Sequence, residues 1–102
     1  MSASFRLTPI AEAQLSEILD FIASDNETAA RVVKDALYVA MSRLATMPGI
    51  GHTREDLTDR PVKFWGVYRY LVVYDPRTSP LTVIAVLHGA RDVEALLKDL
   101  DP

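Results

Sequence analysis

Tyr68-Arg69-Tyr70-Leu71-Val72-Val73-Tyr74 and Leu81-Thr82-Val83-Ile84-Ala85-Val86-Leu87 decide the fold of this chain. Both runs are rich in β-branched and aromatic residues, and Asp75-Pro76-Arg77-Thr78-Ser79-Pro80 between them reads as a hairpin loop. On the first run Tyr68, Tyr70, Val72 and Tyr74 share one face and Arg69, Leu71 and Val73 the other. On the second, strict alternation sets Leu81, Val83, Ala85 and Leu87 against Thr82, Ile84, Val86 and His88. Both faces of both strands are largely apolar, the pattern of strands covered on two sides.

Upstream, Val62 to Trp65 reads as a further strand, with Gly66 permitting a turn or bulge before Val67. Downstream, the second run delivers His88-Gly89-Ala90-Arg91-Asp92, and Asp92 to Leu100 has the spacing of a short C-terminal helix. The first half of the chain reads differently. Phe5 and Leu7 alternate with Ser4 and Arg6, a short strand. Thr8-Pro9 has the form of an N-cap and a first helical residue. Ala11, Leu15, Ile18 and Ile22 then fall on one helical face. Ser24-Asp25-Asn26 ends that helix and caps a second, from Glu27 to about Met47, with a stripe of Ala29, Val33, Ala36, Leu37, Ala40, Leu44 and Met47. Pro48-Gly49 stops it. So short a connection implies an antiparallel helical hairpin. One hairpin covers one sheet face; the C-terminal helix could cover part of the other, and a partner segment is expected to complete the cover.

The 102 residues, 49% hydrophobic and 25% charged, describe one globular domain spanning residues 1–102. No apolar run approaches the roughly 20 residues that span a bilayer, and Met1-Ser2-Ala3-Ser4 lacks signal-peptide character. With no cysteine, thiolate metal sites and disulfides are excluded and a cytoplasmic location is expected. The net charge of −3 opposes wholesale electrostatic binding to nucleic acid. Its distribution is uneven. From Pro9 to Asp59, nine acidic residues outweigh Arg31, Lys34, Arg43 and Arg54, a net of −5. From Val62 to Arg91, Lys63, Arg69, Arg77 and Arg91 outweigh Asp75, a net of +3. An anionic partner is expected at this second segment.

Leu7-Thr8-Pro9-Ile10-Ala11-Glu12-Ala13, Ile18-Leu19-Asp20-Phe21-Ile22, Leu44-Ala45-Thr46-Met47-Pro48-Gly49-Ile50-Gly51, Arg54-Glu55-Asp56-Leu57, Tyr68 to Tyr74 and Val86 to Asp92 stand in this order along nearly the whole chain. In these segments the chain resembles the ParE/RelE toxin superfamily, and within it the ParE-like, plasmid-stabilisation branch. The resemblance implies an α+β fold: an N-terminal strand, an antiparallel helical hairpin, then a three-stranded antiparallel meander with the short C-terminal helix. It implies the toxin of a type II toxin–antitoxin system, partnered by a cognate antitoxin as a toxin dimer or toxin–antitoxin heterotetramer. ParE-like members inhibit DNA gyrase by holding it on cleaved DNA, without enzymatic chemistry, membrane contact or sequence-specific nucleic-acid binding. RelE-like members cut messenger RNA on the ribosome, and a non-toxic antitoxin-binding module is a further alternative.

RNA cleavage needs groups that activate a 2′-hydroxyl, stabilise the phosphorane and protonate the leaving oxygen. Under that alternative Arg69, His88 and Arg91 are the catalytic candidates, Arg69 matching the superfamily's strand arginine and His88 lying near its terminal acid or base. Arg69 could equally pair with Asp92 or Glu94, and His88 could simply cap a strand end. Under the gyrase reading no catalytic residues are expected. Arg54, Lys63, Trp65, Tyr68, Arg69, Tyr70, His88 and Arg91 are then candidates for target or antitoxin contact. The tyrosines could stack on bases or pack in the sheet, and Trp65 could be an interface anchor or a core residue. His52 reads as a solvated loop residue. His88 and Asp92 alone make no metal site, and no cofactor is expected.

Overall fold

A computed structural model describes residues 4–89. The elements are β1 (Phe5–Leu7), α1 (Pro9–Ala23), α2 (Glu27–Thr46), a 3₁₀ turn at Pro48–Ile50, β2 (Lys63–Val67), β3 (Tyr70–Asp75) and β4 (Leu81–His88). The strands form one mixed sheet in the order β1-β4-β3-β2. β1 runs parallel to β4, and β2, β3 and β4 form an antiparallel meander. The architecture is the expected α+β fold. The C-terminal helix expected over 92–100 lies outside the described residues.

Local chemistry sets the helix limits. The Thr8 hydroxyl accepts from the Ala11 N–H at 3.2 Å and Pro9 opens α1. The Asn26 side chain accepts from the Ala29 N–H at 3.0 Å and starts α2. Pro48 ends it, since proline offers no N–H to continue the helix. α2 buries Ala30, Leu37, Ala40, Met41 and Leu44. Met41 replaces Met47 in the expected stripe, because Met47 lies beyond the last helical residue and is exposed.

The core has two parts, one on each face of the sheet. On the helix side Ala11, Leu15, Leu37, Met41 and Leu44 pack on Tyr70, Val72, Tyr74, Leu81, Val83 and Val86. On the other side Val62, Phe64, Val73, Ala85 and Leu87 are buried, with Leu57, Leu71 and Ile84 packed against them. The second face is therefore already buried within one chain. The expectation that a partner segment completes its cover is corrected.

A β-bulge corrects the face assignment along β4. Tyr74 pairs with Val83 and Val73 with Ala85, so Ile84 is an extra residue. One inserted residue exchanges the faces of everything after it. Val86 and His88 thus join Leu81 and Val83 on the helix side, while Ala85 and Leu87 turn to the other.

β1 has only three residues, and beyond it Thr8 and, on α1, Gln14 supply further hydrogen bonds to β4. The Thr8 N–H donates to the Val83 carbonyl at 3.0 Å, and the Thr8 hydroxyl donates to the Ile84 carbonyl at 3.0 Å. Gln14 Oε1 accepts from the Val86 N–H at 2.8 Å. A buried amide stripped of its acceptor costs about 1–3 kcal/mol. Gln14→Leu is therefore expected to destabilise the fold by about 2 kcal/mol in urea unfolding, although leucine is an equally good helix former.

Candidate functional site: a groove beside the β2–β3 turn

Val67 pairs with Tyr70, so β2 and β3 are joined by the two-residue turn Tyr68-Arg69. This corrects two expectations. Gly66 lies inside β2, paired with Leu71, and makes neither turn nor bulge. Arg69 and Tyr68 belong to the turn and not to a strand. Two-residue hairpin turns need a positive φ at their first position, which usually selects glycine, asparagine or aspartate. Here Tyr68 holds that place with φ of 55°, and it alone among the described non-glycine residues is positive.

The turn faces the helical hairpin across an open, mainly apolar groove of about 540 Å³. Ile22 near the end of α1 and Ala29, Val32 and Val33 near the start of α2 form one wall. Tyr68, Arg69 and Tyr70 form the other. Arg69 is exposed, supplies the only charge in the lining, and has no hydrogen-bond or ion-pair partner among the described residues. Tyr70 is buried and pairs across the sheet with His88, their ring centroids 5.3 Å apart and tilted by 52°. Four of the sequence candidates, Tyr68, Arg69, Tyr70 and His88, thus meet at one end of the sheet. Such a site can take apolar side chains and pair an accompanying anion with the guanidinium.

The other candidates lie apart. Lys63 pairs with Tyr74 at the opposite end of β2, about 13 Å from Val67 at the usual rise per strand residue. Arg54 is exposed and forms a bidentate pair with Asp56 at 3.0 and 2.9 Å. The hydrogen bonds and charge of that pair hold the Asp56 carboxyl below the usual range and the Arg54 guanidinium above it. Arg91, Asp92 and Glu94 lie outside the described residues. Trp65 is half-buried in mid-β2 and packs against the helix-side core. One neighbour is His52, whose ring stacks on it at 6.1 Å and within 9° of parallel; the Arg43 guanidinium sits 5.8 Å from its ring centre. His52 is exposed but not merely solvated, because its backbone also exchanges two hydrogen bonds with Phe64 at 2.9 and 2.7 Å.

Sequence reasoning missed the helical wall. Ala29 and Val33 read as core stripe, and Val32 sits off that stripe. The available signal was the adjacent pair Val32-Val33, which widens the apolar arc of α2 beyond what one core face uses. Among the described residues no group of three or more histidine, aspartate or glutamate side chains converges as a metal site. No helix among them is long and apolar enough to cross a membrane.

A family model, the ParE toxin of the type II toxin–antitoxin system parDE, matches residues 5–93 of the 102. No curated protein matches the chain. The matched span takes in every described strand and helix, including the groove and both of its walls. The chain belongs to the ParE toxin family of type II toxin–antitoxin systems.

Proposed function

We propose that this toxin inhibits DNA gyrase by binding it and stabilising its complex with cleaved DNA, in the cytoplasm, and that an antitoxin neutralises it by occupying the groove at Tyr68–Tyr70. The observation that carries the gyrase reading over messenger-RNA cleavage is the dispersal of the cationic candidates among the described residues. Arg69 and Lys63 stand at opposite ends of the β2–β3 hairpin, and the Arg54 guanidinium is engaged by Asp56. Phosphoryl chemistry needs charge converging on one phosphate. Protein binding needs only a complementary surface. The antitoxin reading is supported by the groove itself, an apolar recess with one guanidinium at its rim.

Arg69 and His88 do share one end of the sheet, which keeps ribosome-dependent RNA cleavage as the second reading. The two readings separate at His88. Its ring is half-buried against Tyr70, so His88→Ala removes an imidazole at modest cost to packing. Growth arrest by the His88→Ala toxin is expected to match the wild type within about threefold in inducer dose, since a binder needs no general acid or base. Loss of toxicity in a folded, soluble variant, together with message fragments in a translation reaction containing the wild type, would overturn the gyrase reading.

A further inference from the structure

We propose that Tyr68 is the anchor with which this toxin grips its antitoxin, and that the fold tolerates a strained backbone to hold it at the rim of the groove. The proposal rests on the reading of the groove as the antitoxin's seat. Its own starting point is a mismatch between cost and packing. A bulky residue at positive φ is an outlier, disfavoured by contact between Cβ and the following carbonyl. Tyr68 adopts φ of 55° in a two-residue turn where glycine would sit without strain. Its ring gains little within the chain in return. It is 70% exposed, against 41% for Tyr38, 8% for Tyr70 and 0% for Tyr74. No hydrogen bond or ring contact holds it among the described residues. Among the described residues, Tyr68 lines the groove together with Arg69.

Backbone strain without internal reward gathers at sites of function. An exposed tyrosine beside an apolar recess has the composition of an interface hot spot: large, rigid, and carrying a hydroxyl at its tip. The occupant follows from the charge of the lining. Arg69 carries the only charge among the residues that line the groove, and most of the rest of the lining is apolar. The matching antitoxin segment therefore inserts aliphatic or aromatic side chains past Tyr68 and sets a carboxylate against the guanidinium. A second copy of this toxin offers Arg69 no better match than such a segment, and its binding would show as dimerisation of the free protein.

The test compares Tyr68→Gly, Tyr68→Phe and Val32→Glu toxins, each for thermal unfolding and for calorimetric affinity toward the cognate antitoxin purified from the co-expressed complex. Val32 lines the facing wall of the same groove and probes the groove independently of the turn. Tyr68→Gly is expected to raise Tm by about 4 °C or more through relief of strain and to weaken antitoxin binding by about tenfold or more through loss of the ring. Tyr68→Phe keeps the ring and should bind within about threefold of wild type. If Tyr68→Gly gains stability and keeps full affinity while Val32→Glu loses it, the groove reading stands and the anchor is overturned. If neither variant loses affinity, both fall. A lower Tm for Tyr68→Gly would overturn the claim of strain, and concentration-dependent dimerisation of free toxin that Tyr68→Gly abolishes would replace the antitoxin with a second copy.

Discussion

Gly51→Ala is expected to lower the unfolding free energy by about 3 kcal/mol. The cause is one tyrosine. Tyr74 is fully buried on the helix side of β3, and its hydroxyl donates to the Pro48 carbonyl at 2.6 Å while accepting from the Gly51 N–H at 3.0 Å. These bonds fasten the turn that follows α2 onto the sheet. A Cβ on Gly51 would collide with the Tyr74 hydroxyl and lie 2.9 Å from ring carbon Cε1. The ring has nowhere to retreat, because Tyr74 belongs to the same close-packed cluster as Leu37, Met41 and Leu44. Overpacking of a filled core costs about 1–3 kcal/mol, and parting the hydroxyl from its partners costs about 1–3 kcal/mol more. Urea unfolding measures the sum. A loss below about 1 kcal/mol would mean that the turn moves freely and that Tyr74 is not its fastening.

The same hydroxyl gives the fold an alkaline limit. Burial pushes the Tyr74 phenol above its ordinary value of 10.0, outweighing the opposing hydrogen bond from Gly51. A raised folded value means that the native state holds its proton more tightly than the unfolded chain. The stability is fully present below the unfolded value and is lost as pH rises from there through the folded value. Stability is therefore expected to fall above about pH 10. In Tyr74→Phe that fall should be weaker, from a lower starting stability.

Val32→Glu is expected to weaken antitoxin binding by about a hundredfold or more while leaving the toxin folded. Val32 is 51% exposed on α2, so glutamate, a good helix former, is accommodated in the free protein. In the complex the new carboxylate meets an apolar recess that the partner has closed to water, where an uncompensated charge costs several kcal/mol. A loss of about 2.7 kcal/mol already corresponds to a hundredfold. Should the carboxylate reach Arg69, it would take the cation that the antitoxin needs, with the same outcome. Val32→Ala, which removes only methyl groups, should lose far less. In cells, Val32→Glu toxin should escape neutralisation and still arrest growth. Neutralisation at wild-type antitoxin levels would place the antitoxin elsewhere on the surface.

The element order was legible because each helix boundary carries its own chemical mark: Thr8-Pro9, Asn26 and Pro48. The β3 and β4 runs were legible from composition alone. Their registers were not. An apolar run with no alternation shows no break in pattern when a bulge inserts Ile84, so strict alternation gives the wrong faces after it, and with them the wrong side for His88. The turn at Tyr68-Arg69 was hidden because neither residue favours turns, while Gly66 nearby does. The sequence pattern accordingly places Arg69 in a strand. The groove is a product of tertiary packing between the helical hairpin and that turn, and neither wall has a signature of its own. His52 lay hidden for a related reason, since its partners Phe64 and Trp65 are twelve or more residues away along the chain.

The most direct measurement is a cleavage assay with purified gyrase, supercoiled plasmid, ATP and this toxin, stopped with detergent and protease. Gyrase poisoning predicts dose-dependent linear DNA with protein attached to its ends before proteolysis. It also predicts loss of that product when purified antitoxin is added, and its return when the toxin carries Val32→Glu. Unchanged supercoiling and no linear product, from toxin that is folded and arrests growth, would contradict gyrase as the target.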